Sequence, residues 1–349
     1  MPDLTGGDAV AATLHALGVR HVFGIVSVHN LPIFDAIARD GRIRIVPTRH
    51  EQSAVHAADG YARATGRLGV AIASTGPGCA NAVPGLFEAG FASSPVLLIT
   101  GQVETAFYGK GKGVLHEAER QLPMLETLTR LSRSVRATEE IPEVLVSVAT
   151  DVQRGRPQPG AVEIPIDLQY RRVDIESAPV AAAPPPVRTE PDAASLDAAA
   201  ALLAGADRPL LWAGGGVIRS GASSGLSALA ERLGSPVVTS VNGRGSVRED
   251  HPLCVGALLG TTGSGALAEV LSDADVVLAI GTRFQASATR QWSWPLPGRL
   301  IHADADPGVV GRNYPAHMAL VGDAILAACR PLRINYSILM NSSICSGSD

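Results

Sequence analysis

One carboxylate stands where an apolar strand hands over to an alanine-rich helix. It is Glu51, in Arg49-His50-Glu51-Gln52-Ser53-Ala54-Val55-His56-Ala57-Ala58-Asp59-Gly60-Tyr61-Ala62-Arg63. An acid in the first turn of a helix is ordinarily exposed and stabilised by the helix dipole, by about 0.3–1 kcal/mol. The small and apolar flanks open a second reading. Ala57, Ala58, Gly60 and Tyr61 imply a helix packed closely on its neighbours. Burial there disfavours a charged carboxylate and leaves it able to hold and donate a proton. His50-Glu51 also opens like a zinc-protease HExxH box. Ala54 stands where that box needs its second histidine, and the next one is His56. At that spacing the two imidazoles do not meet on one helical face, so zinc is excluded.

Two glycine-rich turns are the other candidates. Ser74-Thr75-Gly76-Pro77-Gly78-Cys79-Ala80-Asn81 joins a strand to a helix. It reads either as a plain turn or as one that lets backbone approach a ligand at a helix N-terminus. It lacks GxxxxGK[ST], and Gly109-Lys110-Gly111-Lys112-Gly113 is not followed by Ser or Thr, so neither is a P-loop. Trp212-Ala213-Gly214-Gly215-Gly216-Val217 could admit a dinucleotide phosphate or serve packing alone. Arg219 occupies the place of the last glycine of GxGxxG.

The elements that must position these residues read as alternating strands and helices. A helix is expected over 6–18, with Val10, Leu14 and Leu17 at helical spacing and Gly18 at its end. Strand 21–25 leads to helix 31–38, strand 42–47 to helix 51–64, and strand 70–74 to helix 81–92. Strand 96–100, a helix near 142–154 and strand 162–165 complete the series. Arg130, Arg133 and Arg136 read as a solvated helix face. A second series has strands at 209–213, 236–240, 276–280 and 299–303. The expected fold is α/β, with two doubly wound parallel-sheet domains, 1–176 and 192–333. The Pro/Ala-rich stretch 177–191 is their linker. From Ile334 the composition changes abruptly to INYSILMNSSICSGSD, which reads as a frameshift or read-through rather than a native tail.

Composition narrows the class. The 349 residues carry 29 Lys and Arg scattered among 33 acids, with no basic stripe for nucleic acid. Cys79, Cys254, Cys329 and Cys345 have no CxxC spacing, which fits neither zinc nor a disulfide framework. The N-terminus lacks the basic and apolar regions of a signal peptide, and no apolar run reaches membrane-spanning length. The expectation is a cytoplasmic protein that binds neither membrane nor nucleic acid.

In order along the chain, GVRHVFG (18–24), RHEQSAVHAADGYARATGRLGVAIASTGPGCAN (49–81), SSPVLLITGQV (93–103), PGAVEIPIDLQ (159–169), RPLLWAGGGV (208–217), PVVTSVNGRG (236–245), DADVVLAIGTRF (273–284) and IHADADPGVV (301–310) resemble the N-terminal and central domains of thiamine-diphosphate enzymes of the acetolactate synthase type. The resemblance implies that Glu51 hydrogen-bonds N1′ of the cofactor's aminopyrimidine. That contact favours the imino tautomer, which takes the thiazolium C2 proton, and the activated cofactor then attacks a 2-oxo acid. It implies further that 75–81 wraps the pyrimidine, with Thr75 and Asn81 as cofactor residues. Val26 and Ser27 join them by their place after Gly24, where relatives carry Gly-x-Pro-Gly.

Departures from the pattern shape the expected activity. His29 follows that turn, and Leu115-His116-Glu117 replaces the synthases' Phe-Gln-Glu. His116 is therefore a candidate acid/base on the substrate side, favouring a lyase or acyltransferase over acetolactate synthesis proper. In the central domain Gly214 and Gly215 are candidates for holding FAD or ADP, although 283–287 departs from the flavin pattern. The family's Gly-Asp-Gly…Asn motif, which holds Mg²⁺ and through it the diphosphate, does not occur in these residues. No metal ligand is assigned. The expected function is a 2-oxo-acid carboligase or decarboxylase, in a truncated copy inactive alone and a dimer or tetramer at full length. The rival is a non-catalytic oligomerisation partner or a nucleotide-binding module.

Overall fold

The computed structural model describes residues 3–174, 188–257 and 265–324. The expected tail 334–349 and most of the expected linker 177–191 lie outside the described residues. The chain divides into two compact units, 1–186 and 187–349.

The first unit runs β1 (Asp3–Thr5), α1 (Gly6–Ala16), β2 (His21–Gly24), α2 (Leu31–Asp40), β3 (Arg44–Pro47), α3 (Glu51–Thr65), β4 (Gly69–Ala73) and α4 (Pro77–Ala92). It continues through β5 (Val96–Gln102), α5 (Gln121–Glu126), β6 (Leu131–Ser134), α6 (Ile141–Gln153), β7 (Gly160–Pro165), α7 (Ile166–Tyr170) and β8 (Arg172–Asp174). Six strands form a parallel sheet in the order β3-β2-β4-β5-β7-β6, and β1 pairs antiparallel with β8. Both faces are covered because successive strand residues point to opposite sides. Val70, Ile72, Leu97 and Ile99 pack under α1, α2 and α6. Ala71, Ala73, Leu98 and Ala161 pack under α3 and α4. The small residues on that second face let α3 and α4 lie close to the sheet.

Two expectations change here. The arginine series 130–136 is not a helix face, since Leu131–Ser134 is the edge strand β6, paired with β7. Ser132 is buried and Arg133 exposed, a period of two that the three-residue spacing of the arginines disguised. Arg130 is drawn to Asp151 and to the carbonyls of Arg154 and Arg156, and Arg136 lies over the Tyr108 ring. In addition, α4 begins at Pro77 rather than Asn81, because proline is favoured in the first helical turn.

The second unit runs α8 (Ala193–Ala204), β9 (Pro209–Ala213), α9 (Gly215–Ser220), α10 (Ser223–Leu233), β10 (Val237–Thr239), β11 (Cys254–Ala257), α11 (Gly265–Asp273), β12 (Val276–Ile280), α12 (Ala286–Thr289), β13 (Leu300–Asp304) and β14 (Met318–Val321). Its parallel sheet has the order β11-β10-β9-β12-β13-β14. One face packs Leu211, Leu278 and Ile301 against α8 and α10. The other buries Trp212, Phe284 and Leu300, with the Trp212 and Phe284 rings edge to face at 5.0 Å. Both units are doubly wound parallel sheets. Among the described residues no helix is long and apolar enough to cross a membrane.

Candidate active site

In the first unit β2 is flanked by β3 on one side and β4 on the other. The chain therefore reverses its winding between β2 and β4, and the crevice at their carboxyl ends is where such sheets bind ligands. Val26 and Ser27 follow β2, Glu51 follows β3, and Thr75 follows β4.

Glu51 opens α3, half-buried, behind a cap made by His50, whose Nδ1 accepts from the Gln52 N–H at 3.2 Å. His56 lies a turn further on, with Nε2 3.3 Å from Gln52 Nε2. The two histidines thus serve the helix separately. α3 is pressed onto α4 where Gly85 meets Val55, since a Cβ on Gly85 would stand 2.6 Å from Val55 Cβ. This contact sets the start of α4 against the start of α3. Asn81 Nδ2 donates to Glu51 Oε2 at 3.1 Å. Gly78 leaves a gap beside the other oxygen, where a Cβ would stand 3.1 Å from Glu51 Oε1 and 2.8 Å from Ser74 Cβ. The result is a carboxylate fixed through one oxygen, with the other lying against Gly78, where no side chain stands. The adjacent Cys79 is no nucleophile, because burial pushes its thiol up to about 12 with the Glu163 charge assisting.

Sequence reasoning missed the polar network behind this pair. Glu163, on β7, is fully buried. It accepts from the Tyr108 hydroxyl, from Gln121 Nε2 at 3.1 Å and from Gln102 Nε2 at 3.3 Å. Burial and the Glu163 carboxylate together raise the Tyr108 phenol well above its usual value. Gln121 Oε1 in turn accepts from the Gly76 N–H at 2.8 Å and from Thr75 Oγ1 at 3.0 Å. Gly76 has φ +56 and ψ −113, a conformation open to glycine. The Thr75 side chain is thus turned inward and holds the turn in place. A signal was present, since an acid within the apolar run Gly160-Ala161-Val162-Glu163-Ile164-Pro165 needs buried partners.

The turn after β2, with the cofactor candidates Val26 and Ser27, leads to His29, which meets the substrate-side candidate His116. Asn30 ties the turn after β2, accepting from the Ser27 N–H at 2.7 Å and donating to the Ile25 carbonyl at 3.0 Å. Val26 projects outward, 53% exposed, while Ser27 Oγ is buried without a hydrogen-bond partner among the described residues. His29 is buried and its ring lies 5.8 Å from that of His116. Burial, reinforced by the His116 charge, holds His29 below the usual imidazole range against a weaker opposing pull from Glu104. His116 is exposed with φ +60, and its carbonyl fills the space a Gly76 Cβ would need. The histidine turn therefore leans directly on the Gly76 turn.

Gly214 and Gly215 belong to the second unit, at its own reversal between β9 and β12. The Gly214 N–H donates to the Ile280 carbonyl at 2.8 Å and that of Gly216 to the Gly281 carbonyl at 3.1 Å. Two of the three amides that could cradle a phosphate are thereby engaged. Phe284, at φ +50, is locked among Trp212, His302 and Tyr314. Among the described residues no cluster of His, Cys, Asp or Glu side chains could hold a metal.

Residues 4–124 match the family model described as the thiamine pyrophosphate enzyme N-terminal TPP binding domain, and residues 196–330 match that of the central domain. Over 326 residues the chain is 38% identical to a probable acetolactate synthase large subunit of Methanocaldococcus jannaschii, covering 92% of this chain and 54% of that protein. It is 39% identical to a probable 2-ketoarginine decarboxylase of Pseudomonas aeruginosa, over 92% of this chain and 56% of the relative. It is 38% identical to a sulfoacetaldehyde acetyltransferase of Castellaniella defragrans, over 93% and 54%. The chain spans about half the length of these curated relatives.

Proposed function

We propose, from the premise that this chain belongs to the thiamine pyrophosphate enzymes and carries their N-terminal and central domains, that it holds the cofactor's aminopyrimidine ring at Glu51 and serves chemistry on a 2-oxo acid. The observation that carries this reading is the Glu51–Asn81 pair beside the gap over Gly78. Asn81 orients the carboxyl through Oε2, which leaves Oε1 as the oxygen to hydrogen-bond a ring nitrogen. The turn 75–78, held by Gln121, forms the wall against which a flat ring would rest. Thiamine diphosphate, when bound, supplies an electron sink for cleavage or joining of bonds next to a carbonyl. His29, kept neutral by burial, is set to accept a proton, with the exposed His116 ring 5.8 Å away. This histidine pair favours decarboxylation, lyase or acyl-transfer chemistry over acetolactate synthesis as such.

The diphosphate and Mg²⁺ are proposed to be held by a domain outside these 349 residues, within a homodimer or homotetramer in the cytoplasm. The metal contributes much of the cofactor's affinity by neutralising the diphosphate. The 349-residue chain alone is therefore expected to bind thiamine diphosphate weakly and not turn over. The test is titration with a separately produced diphosphate-binding domain, Mg²⁺, thiamine diphosphate and a 2-oxo acid. Activity should appear and fall about 10²–10⁴-fold in Glu51→Gln. Activity indifferent to that substitution would overturn the role of Glu51, and robust 2-oxo-acid consumption by the unassisted chain would overturn the half-site. A non-catalytic partner or a nucleotide module would give no rescue, with ADP or FAD binding unaffected by Glu51→Gln. The engaged amides of Gly214 and Gly216 weigh against the module, since a phosphate would meet the amide of Gly215 without theirs.

A further inference from the structure

The Gly-Lys-Gly-Lys-Gly run that looks like an anion cradle in the sequence encloses an anion of its own. The Glu117 carboxylate accepts from the N–H groups of Gly111 at 3.0 Å, Gly113 at 2.7 Å and Val114 at 3.1 Å. Gly109, Gly111 and Gly113 all have positive φ, which turns successive amides to one side. The same residue closes a turn, its own N–H donating to the Val114 carbonyl at 2.9 Å. His116 occupies the third position of that turn at φ +60, where glycine is the favoured residue. A histidine persists there only if its surroundings hold it.

We propose that Glu117 is the positioning residue for His116: its carboxylate staples the 111–114 backbone and so fixes the His116 ring beside His29. This inference rests on the substrate-side role of the two histidines proposed above. The carboxylate is suited to the task. Burial works against its charge, but the backbone N–H groups of Val114, Gly113, Lys112 and Gly111 hold the Glu117 carboxyl below its usual range. It therefore remains an acceptor at neutral pH. The staple also joins the two halves of the site, because the His116 carbonyl rests on Gly76 and Gly76 is held by Gln121.

The proposal is tested on the isolated 349-residue chain, without cofactor or substrate, by trypsin cleavage after Lys110 and Lys112 and by NMR titration of the histidine rings. In Glu117→Ala the released loop should be cut at least about tenfold faster at both lysines. His29 should titrate nearer the ordinary imidazole value, having lost the charge of His116. Glu117→Gln retains one acceptor oxygen and should fall between wild type and alanine, which keeps the test open if Glu117→Ala fails to fold. Glu126→Ala, the same loss of charge on exposed Glu126 of α5, which bonds none of these amides, should match wild type. Cleavage and His29 titration unchanged in both Glu117 variants would overturn the proposal, as would equal effects from Glu126→Ala. Neither readout involves Glu51, so these failures are distinct from failure of the Glu51→Gln test.

Discussion

Each unit places a glycine-rich turn after a strand that flanks its winding reversal, β4 in the first and β9 in the second, and the two turns admit different neighbours. In the first unit Gly78 omits a Cβ so that a carboxylate can stand beside the helix start. The Gly76 amide is bonded from below by Gln121, not by the neighbouring strand's turn. In the second unit Gly214 and Gly216 omit theirs so that two backbones can touch. A Cβ on Gly214 would stand 2.1 Å from the Gly281 carbonyl oxygen, and one on Gly216 2.7 Å from Gly281 Cα. In the first turn Gly78 makes room for a functional group and Gly76 for the His116 carbonyl, while Gly214 and Gly216 make room only for their own scaffold. A glycine motif after a parallel strand therefore signals close approach, while the approaching partner is decided elsewhere in the chain.

The contrast can be broken most severely in the second unit. Gly214→Ala should cost about 3 kcal/mol, because a buried backbone rather than a flexible side chain must move. Trp212, Trp292 and Trp294 are the chain's three tryptophans and all lie there, so denaturant unfolding followed by fluorescence reads that unit directly. A midpoint unchanged by the substitution would mean that the two loops are not clamped together.

Gln121→Leu probes the first unit's turn and should cost about 2 kcal/mol, since it strands the Gly76 N–H and removes a donor from buried Glu163. Hydrogen exchange at the Gly76 amide should quicken. Protection of that amide at the wild-type level would show that Gln121 does not hold the turn.

The smallest expected effect is on pH dependence. His29 and His302 are both held below the ordinary value of 6.5, chiefly by burial, so each binds its proton less readily folded than unfolded. Their contributions are complete above 6.5 and are lost as the pH falls from there towards the depressed folded values. His302→Gln should flatten the loss of tryptophan-monitored stability between pH 7.5 and 5.5. An unchanged slope would remove His302 from the account.

Much of this was legible in the chain. Alternating apolar runs and helical spacings marked the principal strands of both sheets, because a strand buried on two faces must be apolar throughout. Of the edge strands of the two six-stranded sheets, β3 was read as 42–47, and the other three were not legible. Leu131–Ser134 carries arginine and serine at a half-covered edge, and Cys254–Ala257 and Met318–Val321 are short strands at the edges of the second sheet. Glu51, Asn81 and His116 were visible as candidates and His29 as a departure from the family pattern, and the structure brings the four into two pairs. Glu163 and Gln121 were not, since their partners lie 42 positions apart in the chain and only the fold makes them neighbours.

The sequence by itself determined the two α/β units, the family resemblance and the carboxylate at the start of α3. These depend on local periodicity and on motifs whose residues are close in the chain. Tertiary structure alone decided that Asn81 holds one oxygen of Glu51 and that the other lies against Gly78, where no side chain stands. It likewise decided that the amides of Gly214 and Gly216 bond a neighbouring loop. Such outcomes depend on which backbones come within 3 Å of one another, and that is set by the packing of helices such as α3 and α4 across a whole sheet.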